Sequence, residues 1–141
     1  TLYISYFLKR NRIEYYDRMM DVRLKGTFEQ WIKFFLKAIA ESAEDAITTI
    51  DLLVALNERD YIKVQGVKSS LKTTVKVFEY IKSNPIIAIK KTSTELSISF
   101  NTVSKAVNNL MDIGILRQTE NASRNRCFAY EDYLAILRKD T

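Results

Sequence analysis

Ser99-Phe100-Asn101-Thr102-Val103-Ser104-Lys105-Ala106-Val107-Asn108-Asn109-Leu110-Met111-Asp112-Ile113-Gly114 is the stretch whose reading decides the fold. Both of its ends are specified chemically. The Ser99 hydroxyl can accept from an unpaired backbone N–H in a first helical turn, and Gly114 can take the left-handed conformation that stops a helix. Between them Val103, Ala106, Val107, Leu110 and Ile113 recur at i, i+3, i+4, i+7 and i+10, so they line one helical face. Asn101, Thr102, Ser104, Lys105 and Asn108 occupy the other. Side chains of those lengths reach base edges in a DNA major groove, Asn pairing well with adenine and Ser or Thr with several groups. The same row also suits an ordinary solvated face, so the neighbouring segments have to decide.

Lys90 to Leu96 is a short helical run, preceded by Pro85-Ile86-Ile87-Ala88-Ile89 and followed by a tight turn at Ser97-Ile98-Ser99. Beyond the quoted helix come Ile115 to Thr119 and Arg126 to Tyr130, two strands about a polar tip, Glu120-Asn121-Ala122-Ser123-Arg124-Asn125. The order helix, turn, helix, hairpin resembles the winged helix-turn-helix family over roughly Ser69 to Tyr130. Its carriers are the Leu-x-Ile-Ser turn, the Thr-Val-Ser-Lys-Ala-Val core and the Leu-Met-Asp-Ile-Gly-Ile-Leu exit. The resemblance implies that the second helix of the pair enters a major groove, with Lys105 and the outer polar row reading bases. Arg124 and Arg126 on the wing would then hold phosphates. Two positions depart from the family pattern. Ser97 stands where many members have Gly, and a left-handed backbone there costs a non-Gly residue about 1 kcal/mol or more. Thr92 stands where a large aliphatic normally anchors the first helix of the pair.

Composition sets the outer bounds. With 141 residues, 47% of them apolar and 11% aromatic, the chain can pack one good domain or two small ones. Cys127 has no second cysteine to pair with, which fits a buried thiol in a reducing, cytoplasmic setting. No apolar run approaches the ~20 residues of a membrane span, and the first residues lack a signal-peptide pattern. No membrane partner is expected. The absence of His removes the commonest general base and metal ligand, one Cys cannot make a metal site, and Gly26, Gly66 and Gly114 lie too far apart for a phosphate loop. This chain is therefore expected to be no enzyme, with neither metal nor cofactor of its own.

Earlier in the chain, Leu2 to Arg10 reads as the end of a helix carrying Tyr3, Tyr6, Phe7 and Leu8, and Asn11 as the cap of a second helix, Arg12 to Lys25, ended by Gly26. Thr27 and Gln30 form a capping-box pattern that opens one long helix from Phe28 to about Val64, with Trp31, Phe35, Ile39, Ala43, Ala46, Ile50 and Leu53 as its apolar stripe. This spine helix places a domain boundary near Gly66, dividing a helical region, residues 1–65, from a winged region, residues 66–141. Glu131 to Lys139 closes the chain as a short helix docked on the body.

Leu2 to Arg12, Tyr15-Tyr16-Asp17, Val22-Arg23 and Trp31-x-x-Phe34-Phe35-Leu36 look like the segment just after the catalytic core of bacterial Fic-family proteins, many of which continue through a long helix into a winged helix-turn-helix. The alternative for this region is an unrelated bundle whose aromatics fill its own core. Fic proteins transfer AMP from ATP to hydroxyl side chains of target proteins through a His-Pro-Phe-x-x-Gly-Asn-Gly-Arg loop. That loop is missing here. The resemblance thus implies an accessory C-terminal part, with ATP and the target protein belonging to the parent enzyme. It also implies lost packing partners for Tyr3, Tyr6 and Phe7, and hence self-association through the first two helices.

Charge separates the two regions. Residues 1–65 carry ten basic and ten acidic side chains, while residues 66–141 carry twelve against seven, which holds the whole net charge of +5. A basic domain on a neutral scaffold is the electrostatic footprint of nucleic-acid binding. Lys68, Lys72 and Lys76 fall on one helical stripe, and such stripes are often only solubilising. A DNA reader and a protein-interaction or dimerisation module that positions a catalytic core both remain open.

Overall fold

The computed structural model describes residues 4–120 and 123–138, so the expectations placed on Tyr3, on Asn121 and Ala122 at the wing tip, and on Lys139 lie outside the described residues. The described chain is mainly helical, with one small antiparallel sheet near its end. It divides into two compact units that meet between Leu52 and Leu53. This boundary falls inside the spine helix rather than at Gly66. The last turns of that helix belong to the second core, where Leu56 and Val64 are buried.

In the first unit, α1 (Ile4–Arg10) leads directly into α2 (Arg12–Lys25), and α3 (Phe28–Gln65) begins after Gly26. Gly26 takes φ 67°, the left-handed stop its lack of a Cβ permits. Asn11 sits between α1 and α2, but its side chain does not cap α2. Its amide instead donates to the Phe7 carbonyl at 2.9 Å, satisfying the end of α1. The unit's core is small: Phe7, Phe34 and Ala38, with Trp31, Tyr15, Ile4 and Leu8 around them. Phe7 meets Phe34 at 5.7 Å between ring centres, and Tyr15 meets Trp31 at 5.6 Å. Phe7 is therefore buried, not left exposed as the lost-partner expectation required, because Phe34 covers it.

The stripe expected on α3 is also displaced. Phe34, Ala38 and Ser42, spaced four apart, face inward, whereas Phe35 and Ile50 are exposed. α2 buries nothing, and its Ile13, Tyr16, Met20 and Leu24 share one open face.

The second unit is a winged helix-turn-helix. After α4 (Leu71–Ser83) come β1 (Ile86–Ala88), α5 (Ile89–Leu96), α6 (Phe100–Asp112), β2 (Arg117–Gln118), β3 (Cys127–Ala129) and α7 (Glu131–Arg138). The sheet order is β1-β3-β2. β3 is thus central, pairing Ile87 with Phe128 on one side and Gln118 with Phe128 on the other. The sequence indicates only the β2–β3 hairpin; β1 is three residues long and too short to show alternation. Val77, Phe78, Ile81, Val103, Ala106, Val107, Leu110, Leu116 and Phe128 form the dry centre. Cys127, expected to be buried, is half-buried.

A charged knot fixes the end of α3 to this core. The Asp60 carboxylate is fully buried and accepts from the Tyr130 hydroxyl at 2.5 Å and from Arg59 Nε at 2.8 Å, while Arg59 also reaches Asp132 at 2.6 Å. Burial first, and then the bond to Asp60, hold the Tyr130 phenol well above its ordinary pKa.

Candidate nucleic-acid interface

Helix α6 starts as its sequence specifies. The Ser99 Oγ accepts from the Thr102 backbone N–H at 3.2 Å, and Gly114 takes φ 79° just past the end. Val103, Ala106, Val107 and Leu110 are buried, which leaves Asn101, Lys105 and Asn108 exposed at i, i+4 and i+7 on one outer face. Ser104 is half-buried at the margin of that face. Thr102 is engaged elsewhere: its hydroxyl lies 2.7 Å from the Ser99 Oγ, within the cap. Of the five residues expected on the reading face of α6, three point freely outward.

The angle between α5 and α6 is set by the turn at Ser97, which adopts φ 54° and ψ 41°. The strain foreseen there is present, and local bonds offset it. The Ile98 N–H donates to the Ser93 carbonyl at 3.1 Å, and the Ser93 hydroxyl donates to the Ile98 carbonyl at 2.5 Å. Thr92 is fully buried and does serve as the anchor of α5, because its hydroxyl is satisfied by the Ala88 carbonyl at 3.0 Å. Asn109 is a tie that the periodicity of α6 conceals. Its amide donates to the Ser69 carbonyl at 3.0 Å and to Thr74 Oγ1 at 3.1 Å, fixing α6 to the start of α4.

The wing brings the basic groups forward. Asn125 turns its tip in a left-handed conformation, φ 52°, and both Arg124 and Arg126 are exposed. Arg126 lies over the Phe128 ring, 5.9 Å from guanidinium carbon to ring centre, which orients it without neutralising it. Arg124, Arg126, Lys90, Lys91 and Phe100 line one cleft of about 820 Å³, between the start of α5, the start of α6 and the wing. Lys91 is paired with Glu95 at 3.8 Å. Lys90, Lys105, Arg117, Arg124 and Arg126 have no carboxylate partner among the described residues. Asn101, Lys105 and Asn108 lie outside the cleft, on the open face of α6.

Lys90, Arg117 and Phe100 were not singled out from the sequence as members of this surface. The Lys90-Lys91 doublet opening α5 was the available signal. Among the described residues no group of three or more His, Cys, Asp or Glu side chains is placed to hold a metal ion, and no helix is long and apolar enough to cross a membrane. A comparison with models of known protein families finds none that matches this chain.

Proposed function

We propose that the second unit is a DNA-reading module. In this reading Asn101 and Lys105, with Asn108 and Ser104 beside them, contact base edges, while Arg124, Arg126 and Lys90 hold phosphates and Thr102 supports the helix start. The observation that carries it is the set of five cations without carboxylate partners on α5, α6 and the wing, in the half of the chain that holds all the excess charge. A cation left unneutralised on a shaped, largely buried scaffold is free to displace the counterions condensed on a nucleic acid. The resemblance of residues 2–36 to the segment after a Fic core supports a wider reading. The chain would then be an accessory part of a cytoplasmic AMP-transferase, coupling that activity to transcription, with no catalytic residue and no cofactor of its own.

Fluorescence anisotropy against a mixed pool of short duplexes, and against the promoter of the parent gene, at two salt concentrations tests this. Selective binding that weakens steeply with salt supports it. No selectivity, or no binding at low salt, overturns it in favour of a protein-interaction module that positions the catalytic core or recognises its target. That second reading draws on the open apolar face of α2 and on Phe100, which lines the basic cleft and is 51% exposed.

A further inference from the structure

Phe100 is the first residue of α6 and is half exposed. Among the described residues it is the one large apolar side chain exposed on α5, α6 or the wing, since Val103, Ala106, Val107 and Leu110 of the same helix are buried. Its ring meets no other aromatic ring and no cation among the described residues. The surface around it is basic. Lys90, Lys91, Arg124 and Arg126 line the cleft between α5, α6 and the wing, and Phe100 is the one α6 side chain that lines it with them.

On the DNA-reading proposal, on which this inference rests, the start of α6 enters a major groove while the cleft cations hold phosphates. Phe100 then stands where the two surfaces meet. Asn101, the next residue, opens the row Asn101, Lys105 and Asn108 on the open face, and Ser104 follows Phe100 one turn on at the margin of that face. A phenyl ring pressed against a hydrogen-bonding base edge strips its water without replacing the bond, which costs free energy. The one apolar group that the major groove offers is the C5-methyl of thymine. That methyl projects on the side of the base nearest its own sugar-phosphate strand, with O4 further into the groove. A ring beside the phosphate-holding cations and just ahead of Asn101 is therefore placed to meet the methyl rather than the polar edges.

We propose that Phe100 determines specificity in this module, selecting thymine at one position of the bound sequence by apolar contact with its C5-methyl.

Replacing thymine by uracil deletes that methyl and leaves every hydrogen-bonding group of the base pair in place. The full chain is used to select a preferred duplex from a random pool, and that duplex should contain thymine. It is then remade with deoxyuridine at each thymine in turn. At one position per bound chain the exchange should weaken binding about 4-fold, the effect of one buried methyl group. Phe100→Ala should weaken binding to the thymine duplex at least as much and should no longer tell thymine from uracil there. Phe100→Leu, still apolar, should keep part of the distinction. Helical content and urea midpoint of both variants establish that they fold, and the exchange on the wild-type chain needs no variant at all. Selective binding with no uracil-sensitive position, or a sensitivity that survives Phe100→Ala, would overturn this inference and leave DNA reading standing. Phe100→Ala losses that are equal on thymine and uracil duplexes would assign the ring to packing on sugars and overturn it as well. Absence of any selective DNA binding would remove the DNA-reading proposal and this inference together.

Discussion

Ser97 holds the left-handed backbone at φ 54° that glycine adopts without a steric cost, and the turn between α5 and α6 depends on it. The Ser97 side chain makes no hydrogen bond among the described residues, so its replacement forfeits little. Ser97→Gly is expected to stabilise the second unit by about 1 kcal/mol, less a few tenths for the freer unfolded chain, read as a rise in the urea midpoint at constant slope. Tyr130 works in the opposite sense. Its hydroxyl is one of few partners of a fully buried carboxylate, and Tyr130→Phe should cost about 1–3 kcal/mol by leaving Asp60 short of a donor.

The same contact sets an alkaline limit. A phenol whose folded pKa lies above its unfolded value of about 10 contributes stability that is whole below that pH and is lost as pH rises toward the folded value. Tyr130 is raised in this way, and Tyr80, by burial and its bond to Glu95, is pushed up to about 12. Stability should therefore hold steady to about pH 10 and then fall, and Tyr130→Phe should flatten that fall. Chemical denaturation at a series of pH values, with phenolate absorbance followed in parallel, measures both.

At the scale of the element, helix α6 and the wing make separable contributions to binding. Lys105→Ala and Asn101→Ala should each cost about 1–3 kcal/mol on a preferred sequence and little on a random duplex, because base contacts carry the discrimination. Arg124→Ala with Arg126→Ala should weaken binding to all sequences alike and shallow the salt dependence by about two phosphate contacts. Equal losses on both kinds of duplex for the α6 variants would remove the base-reading role.

Helix α6 was legible because cap, periodicity and stop agree within it: Ser99, the Val103 to Leu110 face and Gly114 are each where local chemistry puts them. The extent of α3 was legible for the same reason. Its buried face was not. A helix carrying apolar residues on two sides offers two periodic lines, and the line through Ile39, Ala43, Ala46 and Ile50 is the better spaced of the two. Phe34 and Ala38 win the interior because Phe7 joins them and Tyr15 packs against the three, a tertiary fact that no helical period contains. The wing arginines were readable as charge, whereas Lys90 and Phe100 join them only through the packing of α5 against α6. Asn11 and Thr102 show the limit of residue type as a guide: residue type suggests a cap for the first and an outward reader for the second, and each is held by a bond to a nearer group.

At the scale of the whole molecule, charge is distributed unevenly: residues 1–65 are neutral and residues 66–141 carry the net +5, with the unpaired cations gathered on α5, α6 and the wing. Attraction to a polyanion then depends on where cations sit and not only on how many there are. Lys33→Glu with Lys37→Glu, on α3 and outside that surface, should leave duplex affinity largely unchanged. Lys90→Glu with Arg117→Glu, an equal change in net charge, should weaken it by about 10-fold or more and shallow its salt dependence. Titration of both variants on one duplex at two salt concentrations gives the result. Equal losses would mean that net charge, and not the arrangement of cations on the second unit, draws the chain to DNA.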